Sequence, residues 1–493
     1  MLRAQILKGM SWLFAGRLAG NLLGLASTLI AARLLVPEDF GLMAIGMGVL
    51  ALAGAVVDLP VGAALVQMKN ATKADFDTAW TINVLRGAIV SALMLLAAWP
   101  AALLIGDMRA AGLVAALAAY PLLTGLRNAW FEQYIRDLDF RREALLDVLS
   151  KLASLVVMVW VAWATRSYWA LAFGVVAGAF VSTLMTYVLR PQLPAFSLKS
   201  FAKFFHFSIW VGLGSIADSF RDATTTFFIG RLLGNAKLGF FAIGSQFGER
   251  LELVLYAPLE RTLFAAFSSI QDDLERVRGA YLRGIHAAAA IILPVCLGIG
   301  LIAPELIALA LGPDWTEAAL VLAFIAPATA LYLLAGLSNS LTNALGHPKA
   351  LFRYKLISAL LNVPALALGI THMGLTGALW ACVFTAAGWY LFSLHVAAQV
   401  TGLTRLAQIS VIGRSLASSL LMAAAVWGMR ALLPGGQGEG FWETLVNAAI
   451  LSAAGAAAYA ACHLTLWQFA NRPQGIESML LAFLSKRTAR DLA

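Results

Sequence analysis

Read for polarity alone, the chain alternates apolar runs of about 20 or more residues with short polar breaks, the pattern of helices that cross a bilayer. Apolar spans are predicted near 11–35, 40–66, 79–105, 111–133, 146–164 and 168–189, and a polar break, Arg190 to His206, follows. A second set runs near 207–233, 239–262, 281–303, 315–344, 351–371 and 374–398. Two more spans, near 409–433 and 442–469, flank a Pro-Gly-Gly-Gln-Gly turn at 434–438. The runs lack the strict alternation of barrel strands, and irregular backbone cannot face lipid. The expectation is an all-α integral membrane protein with about 14 transmembrane helices.

The two sets of six are related. Shifted by 198 positions, Trp12, Gly16, Ala19, Thr28, Arg33, Leu34, Leu35, Gly41, Ala44, Ile45 and Gly46 fall without gaps on Trp210, Gly214, Ala217, Thr226, Arg231, Leu232, Leu233, Gly239, Ala242, Ile243 and Gly244. Pro60 and Pro258 extend the register. Six is an even number, so both halves enter the membrane from the same side and the repeat is parallel. The predicted plan is two parallel-repeat six-helix bundles around a central cavity, plus two C-terminal helices. It assigns an N-terminal lobe to 1–189 and a cytoplasmic amphipathic linker to 190–206. A second lobe covers 207–398, and two extra helices with a cytoplasmic tail cover 399–493.

Composition agrees. Hydrophobic residues make up 61% of the 493 and charged ones 12%, against roughly 25% charged in soluble domains. Most of the 35 lysines and arginines fall in segments that a cytoplasmic N-terminus would place in the cytoplasm. Arg33, Arg109, Arg166, Arg231, Lys237 and Arg430 are the exceptions outside the spans. By the positive-inside rule both termini are cytoplasmic. A basic inner face beside anionic lipid accounts for the net charge of +9, with no nucleic acid required. Cys296, Cys382 and Cys462 stand far apart in apolar runs and suggest neither disulfides nor a metal. Arg3 and Lys8 precede the first run, but it lacks a small-residue cleavage site and has a repeat partner at 207–233, so it reads as a retained span.

Five arginines, Arg17, Arg86, Arg127, Arg221 and Arg250, fall inside predicted spans. Charge in a bilayer is costly and faces a water-filled cavity or a partner. In span 7, Ser215, Asp218, Asp222 and Thr225 recur at spacings of three and four beside Arg221, so one face of that helix is polar. Span 8 repeats this with Ser245, Glu249, Glu252 and Tyr256 beside Arg250. Arg17 and Asn21 mark span 1, Arg127 and Asn128 span 4, and Asn339 and Asn343 span 10. Guanidinium groups match phosphate oxygens and stay charged when desolvated. Arg221, Arg250, Arg17, Arg86 and Arg127 are therefore the candidate pyrophosphate-binding residues. Asp218, Asp222, Glu249, Glu252, Asn21, Asn339 and Asn343 are the cavity or coupling candidates. The alternative is that the charged groups only pair with one another to lock helices together.

Catalytic patterns are absent. There is no Gly-x-x-x-x-Gly-Lys-Ser/Thr, and the six histidines, His206, His286, His347, His372, His395 and His463, form no pair at metal-ligand spacing. The expectation is a carrier, with no catalytic residue, metal or cofactor, and with proton or sodium coupling as the candidate energy source.

Five stretches carry a family likeness: the Arg-Leu-Leu-x5-Gly-x-x-Ala-Ile element from Arg33, Asp-Phe-Asp-Thr-Ala-Trp at 75–80, the segment 131–142, Leu-Gly-Pro-Asp-Trp at 311–315 and Ala-Leu-Gly-His-Pro-Lys at 344–349. They resemble bacterial polysaccharide exporters of the Wzx/colanic-acid-exporter type, in the multidrug/oligosaccharidyl-lipid/polysaccharide (MOP) flippase superfamily. The resemblance covers about 1–400; beyond that the chain matches mainly in hydropathy. It implies two V-shaped bundles that move an undecaprenyl-pyrophosphate-linked oligosaccharide from the inner to the outer leaflet of the bacterial inner membrane. The implied partners are the lipid-linked oligosaccharide, membrane lipid and the polysaccharide polymerase and synthesis machinery; the parallel two-lobed repeat suggests that a monomer could work alone. A lipid II flippase, a multidrug extruder of the same superfamily and a non-transporting scaffold for polysaccharide synthesis are the alternative readings. The sequence puts Arg221 first among the arginines: its loss is expected to stop export while insertion and abundance persist.

Overall fold

The computed structural model describes residues 2–57, 61–68, 71–137, 139–201, 209–433 and 440–470, and these contain helices and no strand. The turn expected at 434–438, the tail beyond 470, Pro60 and part of the 190–206 linker lie outside the described residues. By their contacts the residues group into two units, Met1–Gly239 and Phe240–Ala493.

The first unit holds α1 (Leu2–Leu34), α2 (Pro37–Val56), α3 (Val61–Gln67), α4 (Lys73–Ile105), α5 (Arg109–Leu117), α6 (Ala119–Gly125), α7 (Glu132–Arg136), α8 (Phe140–Thr165), α9 (Trp169–Leu189) and α10 (Ile209–Leu233). Next comes α11 (Asn235–Leu251), which begins in the first unit and continues into the second. The second unit adds α12 (Ala257–Ser269), α13 (Leu274–Leu301), α14 (Ala303–Ala310), α15 (Thr316–Ala344), α16 (Pro348–Thr401), α17 (Arg405–Leu432) and α18 (Phe441–Phe469).

Among the described residues, ten helices are long and apolar enough to cross a membrane, and eleven spans result when the bent pair Arg109–Gly125 and Ala129–Arg136 counts as one. The 54 residues of α16 would reach about 80 Å if straight, far beyond a bilayer core of about 30 Å. They reverse at Gly374, whose φ of 59° and ψ of −134° lie outside the helical region and in a region open to glycine. Beyond the turn, Gly369 and Gly377 face each other backbone to backbone. That makes α16 two spans. The remaining two expected spans are α10, which carries Asp218, Arg221, Asp222 and Arg231, and the run from α11 to α12, which is divided into two shorter helices by the π-helical turn at Glu252–Tyr256. Large side chains such as Leu96, Trp99, Trp160 and Trp163 stay exposed, as lipid-facing residues do, and much of the buried core is alanine.

The repeat reappears as a contact. A Cβ on Gly41 would meet the Asn235 carbonyl, and a Cβ on Gly239 would meet the Pro37 carbonyl. Residues 37 and 235, and 41 and 239, are repeat partners at the same 198-residue offset. The two helix starts therefore cross backbone on backbone in a pseudo-twofold manner, which only glycine at both positions allows. Asp39 starts α2 by accepting from the Val36 N–H at 3.2 Å, with Pro37 in the first turn.

Span 4 differs from the sequence reading. Instead of one helix over 111–133, α6 ends near Gly125 and the chain bends by 54° before Ala129–Arg136. A break at membrane depth frees backbone groups that must find partners. Here α9 supplies them: the Thr183 hydroxyl donates to Leu123 O at 2.7 Å, and the Tyr187 hydroxyl donates to Leu126 O at 2.8 Å. The Asn128 N–H donates to the Thr186 hydroxyl at 3.1 Å. The Asn128 side chain, 2% exposed, accepts from Trp130 N at 3.0 Å and donates to Arg190 O and Gln192 O, both at 2.8 Å. Span 2 is likewise divided, into α2 and α3.

The Asp-Phe-Asp-Thr-Ala-Trp run has structural work to do. Asp75 caps α4 by accepting from the Thr72 N–H and hydroxyl, both at 2.8 Å. Phe76 stacks on Trp130 with ring centroids 4.3 Å apart. Asp77, Thr81 and Thr78 accept the Ala195, Ser197 and Ser200 N–H groups at 3.0, 3.0 and 3.3 Å, and Phe196 packs edge-on against Trp80. The chain after α9 is therefore laid as an extended strap along α4.

Asn128→Ala removes three hydrogen bonds at a buried break and should lower stability by about 2–4 kcal/mol. Arg127→Ala next to it, which removes no hydrogen bond among the described residues, should cost less than Asn128→Ala. Denaturation midpoints of the purified variants check both.

Candidate functional site

A cavity of about 600 Å³ opens within the first unit. Its polar lining comes from α4 (Asn83 and Arg86), α6 (Tyr120 and Thr124) and α10 (Ser215 and Ser219). Arg127 and Glu132, which flank the helix break, line it too. Leu50, Gly54 and Val90 supply apolar wall. The break creates this site, because a continuous span 4 would carry residues 127 and 132 onto the helical path instead.

Two of the arginines expected from the sequence, Arg86 and Arg127, are thus brought to one cavity. Arg17 joins them indirectly: Glu143 on α8 lies in the electrostatic reach of Arg17, Arg127 and Asp147, while Glu132 lies in that of Arg127 and Glu143. Asp147 itself pairs with Lys151 at 3.1 Å. The Arg127 side chain makes no hydrogen bond or ion pair among the described residues. It is a half-buried fork facing a cavity, with two carboxylates near enough to balance it.

Arg221 is arranged differently. Its Nε and Nη2 both donate to Asp222 Oδ1 at 3.0 Å, and Nη1 lies 3.7 Å from Asp218 Oδ1. Asp218, Arg221 and Asp222 thus form a cluster along α10. Asn21 is half-buried on α1.

Arg250, Glu249, Glu252, Asn339 and Asn343 belong to the second unit. Glu249, Glu252 and Asn343 are exposed there, and Arg250 and Asn339 are half-buried. The helical stripe read through Ser245, Glu249, Glu252 and Tyr256 does not continue, because Glu252–Tyr256 forms a π-helix. Pro258 has no N–H to give to the carbonyl four residues earlier, and the wider turn absorbs that defect. Tyr256 is turned onto α15, its ring over Gly336 and its hydroxyl 3.3 Å from that of Ser340.

Near the crossing of α2 and α11, Asp107 accepts from Arg109 Nε at 3.1 and 3.0 Å, from Arg109 Nη2 at 2.7 Å and from Asn235 Nδ2 at 2.7 Å. The Arg231 guanidinium donates to Ile105 O at 3.4 Å. The Arg109 hydrogen bond holds the Asp107 carboxyl below its ordinary range, burial opposing and Asn235 assisting.

The sequence reading does not single out Glu132, which falls at the end of the span at 111–133, or Glu143, which falls between the spans at 111–133 and 146–164. It also passes over Thr183, Thr186 and Tyr187, whose spacing of three and four is the available signal for a polar face on α9.

Compared with known proteins, residues 30–320 match the family model described as Polysaccharide biosynthesis protein. The chain belongs to that family. The matched region contains every residue of the cavity. Among relatives, the chain is 24% identical over 396 residues to the lipopolysaccharide biosynthesis protein WzxC of Escherichia coli K12, covering 76% of this chain and 77% of that protein. It is 23% identical over 406 residues to the succinoglycan biosynthesis transport protein ExoT of Rhizobium meliloti, covering 80% and 81%. Among solved structures, the fold is similar to the lipid II flippase MurJ in an inward closed conformation, with a TM-score of 0.73 at 12% identity, over 93% of this chain and 99% of that one. An inward-facing multidrug resistance transporter of the MOP superfamily matches with a TM-score of 0.60 at 13% identity, over 78% and 96%. This family member is a multi-pass membrane protein with the MOP transporter fold.

Because Asp107 is lowered in the folded protein, its bonds stabilise above the ordinary carboxylate pKa of 3.8 and are lost as pH falls through the lower, folded value. The stability difference between wild type and Asp107→Asn should be constant from about pH 8 to about pH 5 and vanish well below about pH 4. Thermal unfolding of both proteins across that range measures it.

Proposed function

We propose that the protein moves a lipid-linked oligosaccharide from the cytoplasmic to the outer leaflet of a bacterial inner membrane, and that the cavity of the first unit holds its phosphate. The observation that carries this reading is the unbonded Arg127 guanidinium beside Arg86 at one cavity. A planar, permanently charged group that is not committed to an internal carboxylate, as Arg127 is not, can take phosphate oxygens bidentately, and Arg86 adds positive charge to the same cavity. The hydroxyls of Tyr120, Thr124, Ser215 and Ser219 and the amide of Asn83 give the cavity the mixed donors and acceptors that sugar hydroxyls need. Glu132 and Glu143 keep the arginines balanced while the site is empty.

The family of the chain and the names of its relatives, which include a transport protein for succinoglycan biosynthesis, support the same substrate class. An undecaprenyl-pyrophosphate carrier fits the charge, its tail remaining in lipid while the cavity is exposed to one side and then the other. The lysine and arginine distribution supports cytoplasmic termini. With that orientation an inside-negative potential helps expel an anion, at ~2.3 kcal/mol per charge per 100 mV, and proton or sodium antiport adds to it. A polysaccharide polymerase and its synthesis machinery are the partners this role implies. A multidrug extruder for amphipathic cations suits an arginine-lined cavity poorly.

The test is transbilayer movement of undecaprenyl-pyrophosphate-linked oligosaccharide in liposomes carrying the purified protein. A charge-assisted hydrogen bond is worth about 1.5–3 kcal/mol, so Arg127→Ala and Arg86→Ala should each slow movement about tenfold to hundredfold. Arg127→Lys should recover part of the loss. Full activity in both alanine variants removes the phosphate site from this cavity, and a larger loss in Arg221→Ala than in Arg127→Ala moves it to α10.

A further inference from the structure

The histidines looked scattered in sequence, but in the second unit three helices bring two of them together. His286 lies in the middle of α13, Arg414 on α17 and His463 on α18. Arg414 Nη2 is 2.8 Å from His286 Nε2, and His286 Nδ1 is 3.2 Å from Val411 O. A guanidinium has donors only, so Nε2 must be the acceptor; a carbonyl only accepts, so Nδ1 must carry the hydrogen. The geometry therefore fixes a neutral Nδ1–H imidazole. The His463 ring stacks over His286 at 6.5 Å and over Tyr459 at 5.2 Å, and the Tyr459 hydroxyl donates to Ala290 O on α13 at 2.8 Å.

These contacts belong to a polar seam that holds the C-terminal helix pair, α17 and α18, to α13. Five residues before His286, about 7.5 Å along the helix, the Tyr281 hydroxyl lies 2.6 Å from Ser338 Oγ on α15 and donates to Gln408 Oε1 on α17 at 3.0 Å. At the far end of α13, Arg430 donates to Leu301 O at 2.9 Å and to Glu305 on α14 at 2.7 Å. That acidic group is about 22 Å from His286 along α13. From α17 His286 meets Arg414, and from α18 it meets His463, behind which Tyr459 is stacked. The apolar cluster that joins α13 to α12, α15 and α16 has Tyr281, Tyr390 and Cys296 as its titratable buried members. Of α18 only 11% of the spanning stretch is buried, and His463 is among its buried residues.

We propose that His286 is a proton-binding site that releases the α17–α18 pair. A proton can bind only at Nε2, the atom that accepts from Arg414. Once there it turns the acceptor into a donor and sets an imidazolium against a guanidinium in a low-dielectric interior, where like charges repel strongly. The Arg414–His286 bond breaks, the stacked His463 and Tyr459 lose their support, and α18 loosens from α13. The site is separate from the cavity of the first unit and does not depend on what that cavity binds.

The experiment is hydrogen–deuterium exchange of residues 455–469 in the full-length protein in lipid nanodiscs, corrected for the intrinsic pH dependence of exchange. From about pH 8 to about pH 5.5 the wild type should lose protection about tenfold, as expected for opening coupled to one proton. His286→Gln, whose side-chain oxygen still accepts from Arg414 but takes no proton in this range, should stay protected throughout. Arg414→Gln offers the imidazolium an acceptor and should reverse the trend. His463→Gln should keep the wild-type trend, because the accepting nitrogen is retained. Wild-type protection that does not change with pH overturns the proposal without any variant, as does an unaltered pH response in His286→Gln. Either result leaves the phosphate-site reading untouched, because neither measurement involves transport.

Discussion

Backbone polar groups at membrane depth must be satisfied by protein, and the break in span 4 is where that constraint presses hardest. A straight helix would meet it at no cost. Here the chain leaves the helical path at Leu126–Asn128, and Thr183, Thr186, Tyr187 and the Asn128 amide replace the lost bonds. The cavity of the first unit follows from this substitution. The break opens a cavity, brings Arg127 and Glu132 to its wall, and ties the chain after α9 to the same asparagine.

The charges inside the spans divide by what already holds them. Arg221 is bonded by the carboxylates of its own helix, and Arg430 is bonded by Glu305. Arg127 has carboxylates in electrostatic reach but no hydrogen bond among the described residues, which leaves its bonding capacity available to a ligand at the cavity wall. A desolvated guanidinium without an acceptor is costly, and a cavity able to admit water or phosphate is what makes that arrangement tolerable.

The second unit handles attachment in another way. Its last two helices lie beyond the internal repeat and are held to α13 by a series of polar contacts spread along its length. In the His286–Arg414 bond the direction is set by the chemistry of the two groups, because a guanidinium only donates.

Much of the architecture was legible in the sequence because bilayer thickness and helix rise leave few ways to arrange apolar runs. The spans, the 198-residue repeat and the dense charge on α10 and α11 could all be read directly, and the repeat partners Gly41 and Gly239 turn out to touch. The capping of α4 by Asp75 was local and equally accessible. The break at Asn128 was not, since the groups that satisfy it lie more than 50 residues away and a polar asparagine in a span also fits an unbroken helix. The π-helix at Glu252–Tyr256 shifted a stripe that had been counted at regular spacing. Arginine content marked where charge enters the membrane, but sequence spacing carries no information on which arginine already has an acceptor. That was decided by tertiary structure, because hydrogen bonds between helices depend on distances of a few ångströms between residues far apart in the chain.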